Sequence, residues 1–278
     1  MRFTKAHGLG NDFILVAASD APADPAAWTR RLCDRHRGVG GDGVILHALE
    51  PDGVGFRLLN ADGLPAEVSG NGLRCLAALA VREGWAGPRH LVHTVVGPKA
   101  VEVSPAGAGR YRIAADLGTP RLGSREVPIA LEPARERVVD LPLETDGRSL
   151  HVTASSMGNP HCAVFCDAVA DDSLLNAIGP ALENHPLFPQ RTNVEFVTVV
   201  SRDEIRVRFW ERGVGYTQAS GTGAASAVVA SIITGRADRR VRAVCDGGTL
   251  EVEWPEGGSL RQTGEVELLF DGDWTAGT

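Results

Sequence analysis

The sequence predicts an α/β (α+β) protein of two pseudo-symmetric halves, each a curled, mainly antiparallel sheet around a central apolar helix, with an active site in the cleft between them. Three observations carry this expectation. Ser69-Gly70-Asn71-Gly72 and Ser220-Gly221-Thr222-Gly223 repeat a Ser-Gly-polar-Gly core, and each runs into an apolar, helix-like segment. Upstream, Gly10-Asn11 and Gly158-Asn159 each lead into an apolar strand, 58 and 61 residues before their respective serines. Two signals in the same order at nearly the same separation point to an internal duplication. The length of 278 residues suits two modest cores. The halves are expected at 1–117, joined by a C-terminal strand at 265–278, and at 118–264, because the Pro/Gly/charge-rich stretch 117–135 is the best boundary.

The paired loops have a physical use. The first N–H groups of a helix lack intrahelical partners, glycine permits close approach, and the helix dipole favours an anion there. Two such ends facing one another would hold a carboxylate from both sides, each presenting Ser69 or Ser220 to the adjacent carbon. A single copy would read as an ordinary serine N-cap; the matched pair reads as a site.

In chain order, a buried strand is expected at 13–17 and a short helix at 25–36 with Trp28, Leu32 and Cys33 inward. Gly38-Val39-Gly40-Gly41-Asp42-Gly43 spells the dinucleotide fingerprint, but a helix precedes it and a strand-like Val44-Ile45-Leu46 follows, the reverse of what that fingerprint needs. It is read as a loop. A strand at 56–59 ends in the turn Asn60-Ala61-Asp62-Gly63. The helix at 71–83, stopped by Gly84, and the helix at 223–234, stopped by Gly235, are apolar on nearly every face and therefore buried. A peripheral helix is expected at 172–184. Further strands are expected at 91–96, 100–103, 111–116, 150–154, 162–166, 193–199, 204–210, 240–245, 249–254 and 265–270, with period-two alternation clearest in Glu204–Phe209.

Composition excludes several classes. With 43% hydrophobic and 23% charged residues the chain is an ordinary globular sequence. A net charge of −7 without a Lys/Arg block argues against a nucleic-acid partner. No apolar run approaches a membrane span of roughly 20 residues, and the N-terminus has no signal-peptide pattern. Cys33, Cys75, Cys162, Cys166 and Cys245 are odd in number and scattered, unlike a disulfide framework. The expectation is a soluble, reduced, cytoplasmic protein.

Gly158-Asn159-Pro160-His161 sets an amide and an imidazole before a strand, and His161 rises above an ordinary structural histidine because Asn159 belongs to the repeated frame. Glu211-Arg212-Gly213 ends a strand shortly before the second Ser-Gly loop. Elsewhere an adjacent Glu and Arg form a solvated pair; beside an anion site they could bind a zwitterion. No metal-ligand spacing and no G-x-S-x-G elbow is present.

His7-Gly8-Leu9-Gly10-Asn11-Asp12-Phe13, Asn60-Ala61-Asp62-Gly63, Gly70-Asn71-Gly72-x-Arg74-Cys75, Gly158-Asn159-Pro160-His161, Thr192-Asn193-Val194-Glu195, Glu211-Arg212-Gly213-x-Gly215 and Gly247-Gly248-Thr249-Leu250-Glu251-Val252-Glu253-Trp254 together resemble the diaminopimelate epimerase family. The resemblance covers essentially the whole chain. It implies inversion at an amino acid α-carbon by two bases, with no cofactor, neither pyridoxal phosphate nor metal, in the pathway to lysine and peptidoglycan. It implies that Asn11, Asn60, Asn159, Asn193, Glu211 and Arg212 hold the distal end of the substrate. Gly70, Asn71, Gly221 and Thr222 would give backbone donors to the reacting carboxylate, His161 and Glu211 would support the bases, and a homodimer would be the assembled state.

The sequence departs from the family at the bases themselves. Ser69 and Ser220 stand where the family has its two catalytic cysteines, and Tyr216 stands where it usually has Glu. Cys75 lies six residues beyond Ser69, inside the helix, and cannot substitute. Three readings follow: a diaminopimelate epimerase whose serines work weakly through relays or disable it; a diverged isomerase, racemase or dehydratase on a related amino acid, with a serine relaying protons to His161, Glu211 or Asp62; and a non-catalytic amino acid binding protein. Deliberate replacement would account for both serines but not for Tyr216.

Overall fold

The computed structural model describes residues 1–66, 69–145 and 147–275. The chain divides into two compact units, Met1–Asp116 with Thr263–Thr278, and Leu117–Gln262; residues 276–278 of the expected C-terminal strand lie outside the described residues.

In the first unit, β1 (Arg2–Gly8) and β2 (Asn11–Ala17) form an antiparallel hairpin, and α1 (Pro25–Cys33) leads to β3 (Gly43–Glu50), which lies parallel to β2. β4 (Gly53–Asn60) returns antiparallel to β3 and is followed by β5 (Pro65–Ala66), α2 (Gly70–Arg82) and β6 (Arg89–Thr94), the last parallel to β4. The antiparallel β7 (Gly97–Gly107) and β8 (Arg110–Gly118) complete the run.

The second unit repeats this connectivity step by step. After β9 (Val138–Thr145), β10 (Arg148–Ser156) and β11 (Pro160–Phe165) pair antiparallel, and α3 (Asp172–Glu183) leads to β12 (Asn193–Ser201), parallel to β11. β13 (Glu204–Glu211) returns antiparallel, followed by β14 (Gly215–Thr217), α4 (Gly221–Ile233) and β15 (Arg240–Cys245), parallel to β13. β16 (Gly248–Glu253) pairs antiparallel with β15, and β17 (Leu260–Asp273) carries the chain back to pair with β1.

The strand registers define residue equivalences. Phe13 is level with Gly43, and His161 with Asn193. Two residues on, Leu15 is level with Ile45, and Ala163 with Glu195. Phe13 thus corresponds to His161, Ile45 to Glu195, and the strand-ending Asn60 to Glu211. Both hairpin turns place a glycine at positive φ just before the repeated asparagine, Gly10 at 83° and Gly158 at 109°, a conformation that only glycine adopts cheaply.

Each central helix is enclosed by its own sheet. Asn71–Ala80 of α2 are all buried, against β1, β2, β3, β4 and β7. Gly223–Ser231 of α4 are all buried, against β10–β13, β15 and β16. Enclosure on every side accounts for how few polar residues either helix carries; Asn71 and Arg74 of α2 and Ser226 and Ser231 of α4 are buried exceptions. The third residue of each is a glycine in close quarters: a Cβ on Gly72 would sit 2.9 Å from Ile45 Cδ1, and one on Gly223 2.9 Å from the Phe209 ring, so either neighbour would have to shift.

The structure adjusts three expectations. α1 ends at Cys33 rather than His36, because Asp34 Oδ1 accepts the amides of His36 and Arg37 and turns the chain. Strands β1 and β9 were not foreseen; β9 holds a proline and β1 mixes charges among its inward residues, although both alternate or bury as strands do. The final strand begins at Leu260 rather than 265. Gly38–Asp42 is a loop between helix and strand, as the rejected fingerprint required.

Candidate active site

Ser69 and Ser220 occupy the same local geometry. Both are extended, at φ/ψ −115/124° and −134/125°, and each Oγ accepts the N–H of the glycine three residues on at 3.2 Å. The serines are genuine N-caps, as the plainer reading of either copy would have it. Gly70 and Asn71, and Gly221 and Thr222, are the first two residues of α2 and α4, so their amides lack intrahelical acceptors and point out of the helix end. Each hydroxyl accepts a hydrogen bond from the positive end of a helix while its own hydrogen stays free to donate.

In the second unit a connected polar cluster lies at the start of β11 and β12 and the end of β13. His161 is fully buried; its Nδ1 lies 2.6 Å from Glu195 Oε1 and its Nε2 2.9 Å from Asn159 Oδ1. Asn193 donates through Nδ2 to the Pro160 carbonyl at 2.9 Å and accepts the Arg212 amide at 3.0 Å, so its orientation is unambiguous. Glu211 and Arg212 do not pair with each other. Thr217 Oγ1 donates to Glu211 Oε1 at 2.6 Å, and Arg212 Nη1 donates to the Gln190 carbonyl at 3.1 Å. Glu211 is two residues past Phe209 and shares its face of β13, the face on which the start of α4 packs. Burial raises the Glu211 carboxyl above the usual carboxylate range, against the pull of the Thr217 hydrogen bond and the nearby His161. Arg212 is exposed.

Glu183 fixes the turn that carries Arg212. Buried at the end of α3, it accepts the Gly213 amide and Trp210 Nε1, each at 2.7 Å, and pairs with Arg191.

In the first unit, Asp42 Oδ2 accepts Asn11 Nδ2 at 2.7 Å and the Asp12 amide at 3.0 Å. A carboxylate accepts only, so the Asn11 amide nitrogen must face Asp42 and its Oδ1 must face away. That oxygen meets Asn71 Nδ2 at 3.3 Å. Arg35 bridges Asp12 at 2.7 Å and Asp42 at 2.8 Å, and Lys5 pairs with Asp12 at 2.5 Å. Burial pushes the Asp12 carboxyl up, but hydrogen bonds and charge from Arg35 and Lys5 outweigh it and hold it at about 2. Asn60 ends β4 with an exposed side chain, and Asp62 accepts the Leu64 amide in the exposed turn beyond.

Tyr216 is turned to the surface, donating to Asp246 Oδ2 at 2.8 Å beneath the Arg208 guanidinium. Cys75 is fully buried within α2, and burial pushes its thiol up to about 12. All five cysteines are free. Among the described residues no cluster of three or more His, Cys, Asp or Glu could hold a metal, and no helix is long and apolar enough to cross a membrane.

The profile of the family described as diaminopimelate epimerase matches residues 3–122 and 153–269. Diaminopimelate epimerase 1 of a Nostoc species is 45% identical over 98% of this chain and 99% of its own, and the diaminopimelate epimerase of Desulforudis audaxviator is 47% identical over 99% of each. The chain belongs to the diaminopimelate epimerase family. Its fold is also found in a hydroxyproline epimerase from Agrobacterium vitis (TM-score 0.67, 13% identity, 98% of this chain and 90% of that one) and in a methylitaconate-delta-isomerase (TM-score 0.60, 16% identity, 98% and 95%).

For this diaminopimelate epimerase family member, Glu195, Asp42 and Glu183 escaped the residue-by-residue reading of the site. The signal for Glu195 was there: a carboxylate among Val194, Phe196 and Val197 on a strand buried on both faces needs a buried partner. Asp42 and Glu183 gave none, since each finds its partner through chain distant in sequence.

Proposed function

We propose that this chain is a cofactor-independent amino acid epimerase, interconverting LL- and meso-diaminopimelate by two-base proton transfer at the α-carbon, with activity reduced by serine at both base positions. The observation that carries the proposal is the matched capping geometry of Ser69 and Ser220, each hydroxyl 3.2 Å from a helix-end amide at the position of a family base. A two-base inversion needs one proton-carrying group for each face of the carbon, and we assign these to Ser69 and Ser220. The amides of Gly70, Asn71, Gly221 and Thr222 would take the reacting carboxylate, which is where negative charge grows as the proton leaves.

Hydrogen-bond polarity supports the distal assignment. Asn193 is left with an Nδ2–H to donate, and Arg212, whose backbone amide it accepts, carries an exposed guanidinium suited to a carboxylate. Asn11 offers an acceptor oxygen and Glu211 a carboxylate, both suited to an ammonium. Asn60 and Asn159 complete this set. His161 and Glu211 would support the bases. The five free cysteines suit a reducing compartment, and we place the enzyme in the cytoplasm as a homodimer, which light scattering on a sizing column would test.

Incubation with LL-diaminopimelate in D2O, read by NMR and chiral chromatography, tests the function. Slow α-deuterium incorporation accompanied by meso product is expected. Loss of water from a β-hydroxy amino acid offered in parallel, with no exchange on diaminopimelate, would instead establish a dehydratase, and calorimetric binding without exchange, persisting in a Ser69→Cys/Ser220→Cys variant, an amino acid binder. Neither binding nor exchange in either chain would overturn the substrate assignment.

A further inference from the structure

The two units differ most sharply where their folds agree best. At equivalent positions on parallel strands the first unit has Phe13 and Ile45, both buried and both in contact with the start of α2, where a Cβ on Gly72 would meet them. The second unit has His161 and Glu195, 0% and 1% exposed, with their side chains 2.6 Å apart. An apolar pair fills this position in the first unit without difficulty. Burying an ionisable pair there incurs desolvation that its mutual attraction often fails to recover. Among the described residues Glu195 Oε2 has no hydrogen-bond partner, so even the pair's own bonding is incomplete. Packing therefore gives no reason for this pair.

We infer that Glu195 is the positioning residue that orients His161 for proton handling, an inference that rests on the epimerase reading of the site. Glu195 engages Nδ1, which fixes the ring plane and turns Nε2 toward Asn159. The division of labour follows: Nδ1 keeps its hydrogen for the carboxylate, and Nε2 is the nitrogen that gains and loses a proton. Asn159 Oδ1 accepts from Nε2, so with Nδ1 also protonated the ring is an imidazolium whose counter-charge is the Glu195 carboxylate 2.6 Å away; when the Nε2 proton departs, the Nδ1-protonated ring remains and the Asn159 amide turns to offer its Nδ2 hydrogen to the bare Nε2. One other group sets the field: Glu211 lies close enough to act on the Glu195 charge. The burial that disfavours a lone Glu195 carboxylate makes the charge of His161 its natural partner.

The test uses the full chain with ¹⁵N-labelled histidine. In the native protein His161 should show an Nδ1-bound, strongly downfield, slowly exchanging proton. Glu195→Gln, which keeps shape and removes charge, should abolish that resonance and shift the ring's protonation. It should also lower the rate of α-deuterium exchange by about 10- to 100-fold, less than the roughly 10²–10⁴-fold of an acid–base group itself because Glu195 acts through His161, at unchanged KM. Glu195→Asp should restore part of both. A His161→Phe/Glu195→Ile variant, copying the first unit, should melt no lower than the native chain yet lose exchange. Unchanged nitrogen shifts or unchanged exchange in Glu195→Gln would overturn the inference, as would a lowered melting temperature in the apolar variant. Exchange is read in the Ser69→Cys/Ser220→Cys background as well. Silence in every chain would then indict the substrate assignment, while the nitrogen spectra still decide the pair.

Discussion

Replacing both serines by cysteine should raise α-proton exchange by about three orders of magnitude or more, and the size follows from the caps. A thiol starts near pKa 8.5, and a helix end contributes up to about 2 kcal/mol, or about 1.5 units at 1.36 kcal/mol per unit. A cysteine at position 69 or 220 would thus be about half thiolate near pH 7. A hydroxyl starts near the value of water, far above any thiol, and the same helix end still leaves it far above neutrality. The population of deprotonated base therefore differs by about seven orders of magnitude. A stronger base is also intrinsically more reactive, and with a Brønsted coefficient of about 0.5 half of that deficit returns, leaving about 10³-fold per base. Ser69 is half-buried whereas Ser220 is buried, so Ser69→Cys should ionise at lower pH than Ser220→Cys. The assay is deuterium wash-in to LL-diaminopimelate followed by NMR, with thiolate absorbance titrated in the same variants. A native chain exchanging within about tenfold of the double variant would refute this reasoning, because it would show that serine is not limited by its proton affinity.

Three further outcomes are expected. Asp12 carries a carboxyl held at about 2 in the folded chain against about 3.9 unfolded; its contribution to stability is complete above about pH 4 and is lost as pH falls toward 2. Urea midpoints of Asp12→Asn should accordingly be flatter than native between those limits, and parallel profiles would count against the Lys5–Asp12–Arg35 network. Asp42→Asn frees the Asn11 amide to turn and should raise the KM or Kd for diaminopimelate by about tenfold, 1.4 kcal/mol, with kcat little changed; a fall in kcat alone would contradict the orienting role. Tyr216→Phe should leave exchange within about twofold of native, since the hydroxyl is spent on Asp246 at the surface and outlying surface changes cost little; a large loss would place Tyr216 in the proton path.

The elements that the sequence disclosed were those whose physics is local. The apolar faces of α2 and α4, the serine caps, the stopping glycines and the Gly10-Asn11 and Gly158-Asn159 turns are set by neighbours a few residues apart, and their repetition revealed the duplicated architecture before any coordinates. Strand β1 was hidden because Lys5 is buried at a position that reads as exposed, its charge met by Asp12 and the Gly40 carbonyl from across the fold. The same reason hid the network around the candidate site. Whether an asparagine donates or accepts depends on what lies opposite it, and Asp42 is 31 residues from Asn11, while Arg212 is 19 from Asn193. Sequence alone disclosed the family, the repeat, and the serine that heads each of the two apolar helices. Tertiary structure alone decided that Tyr216 faces Asp246, that Cys75 is sealed inside α2, and that His161 is held by Glu195 where the other unit packs phenylalanine against isoleucine. The cause is range: capping and amphipathicity act along the chain, while burial, amide orientation and charge pairing are set by residues that only folding brings together.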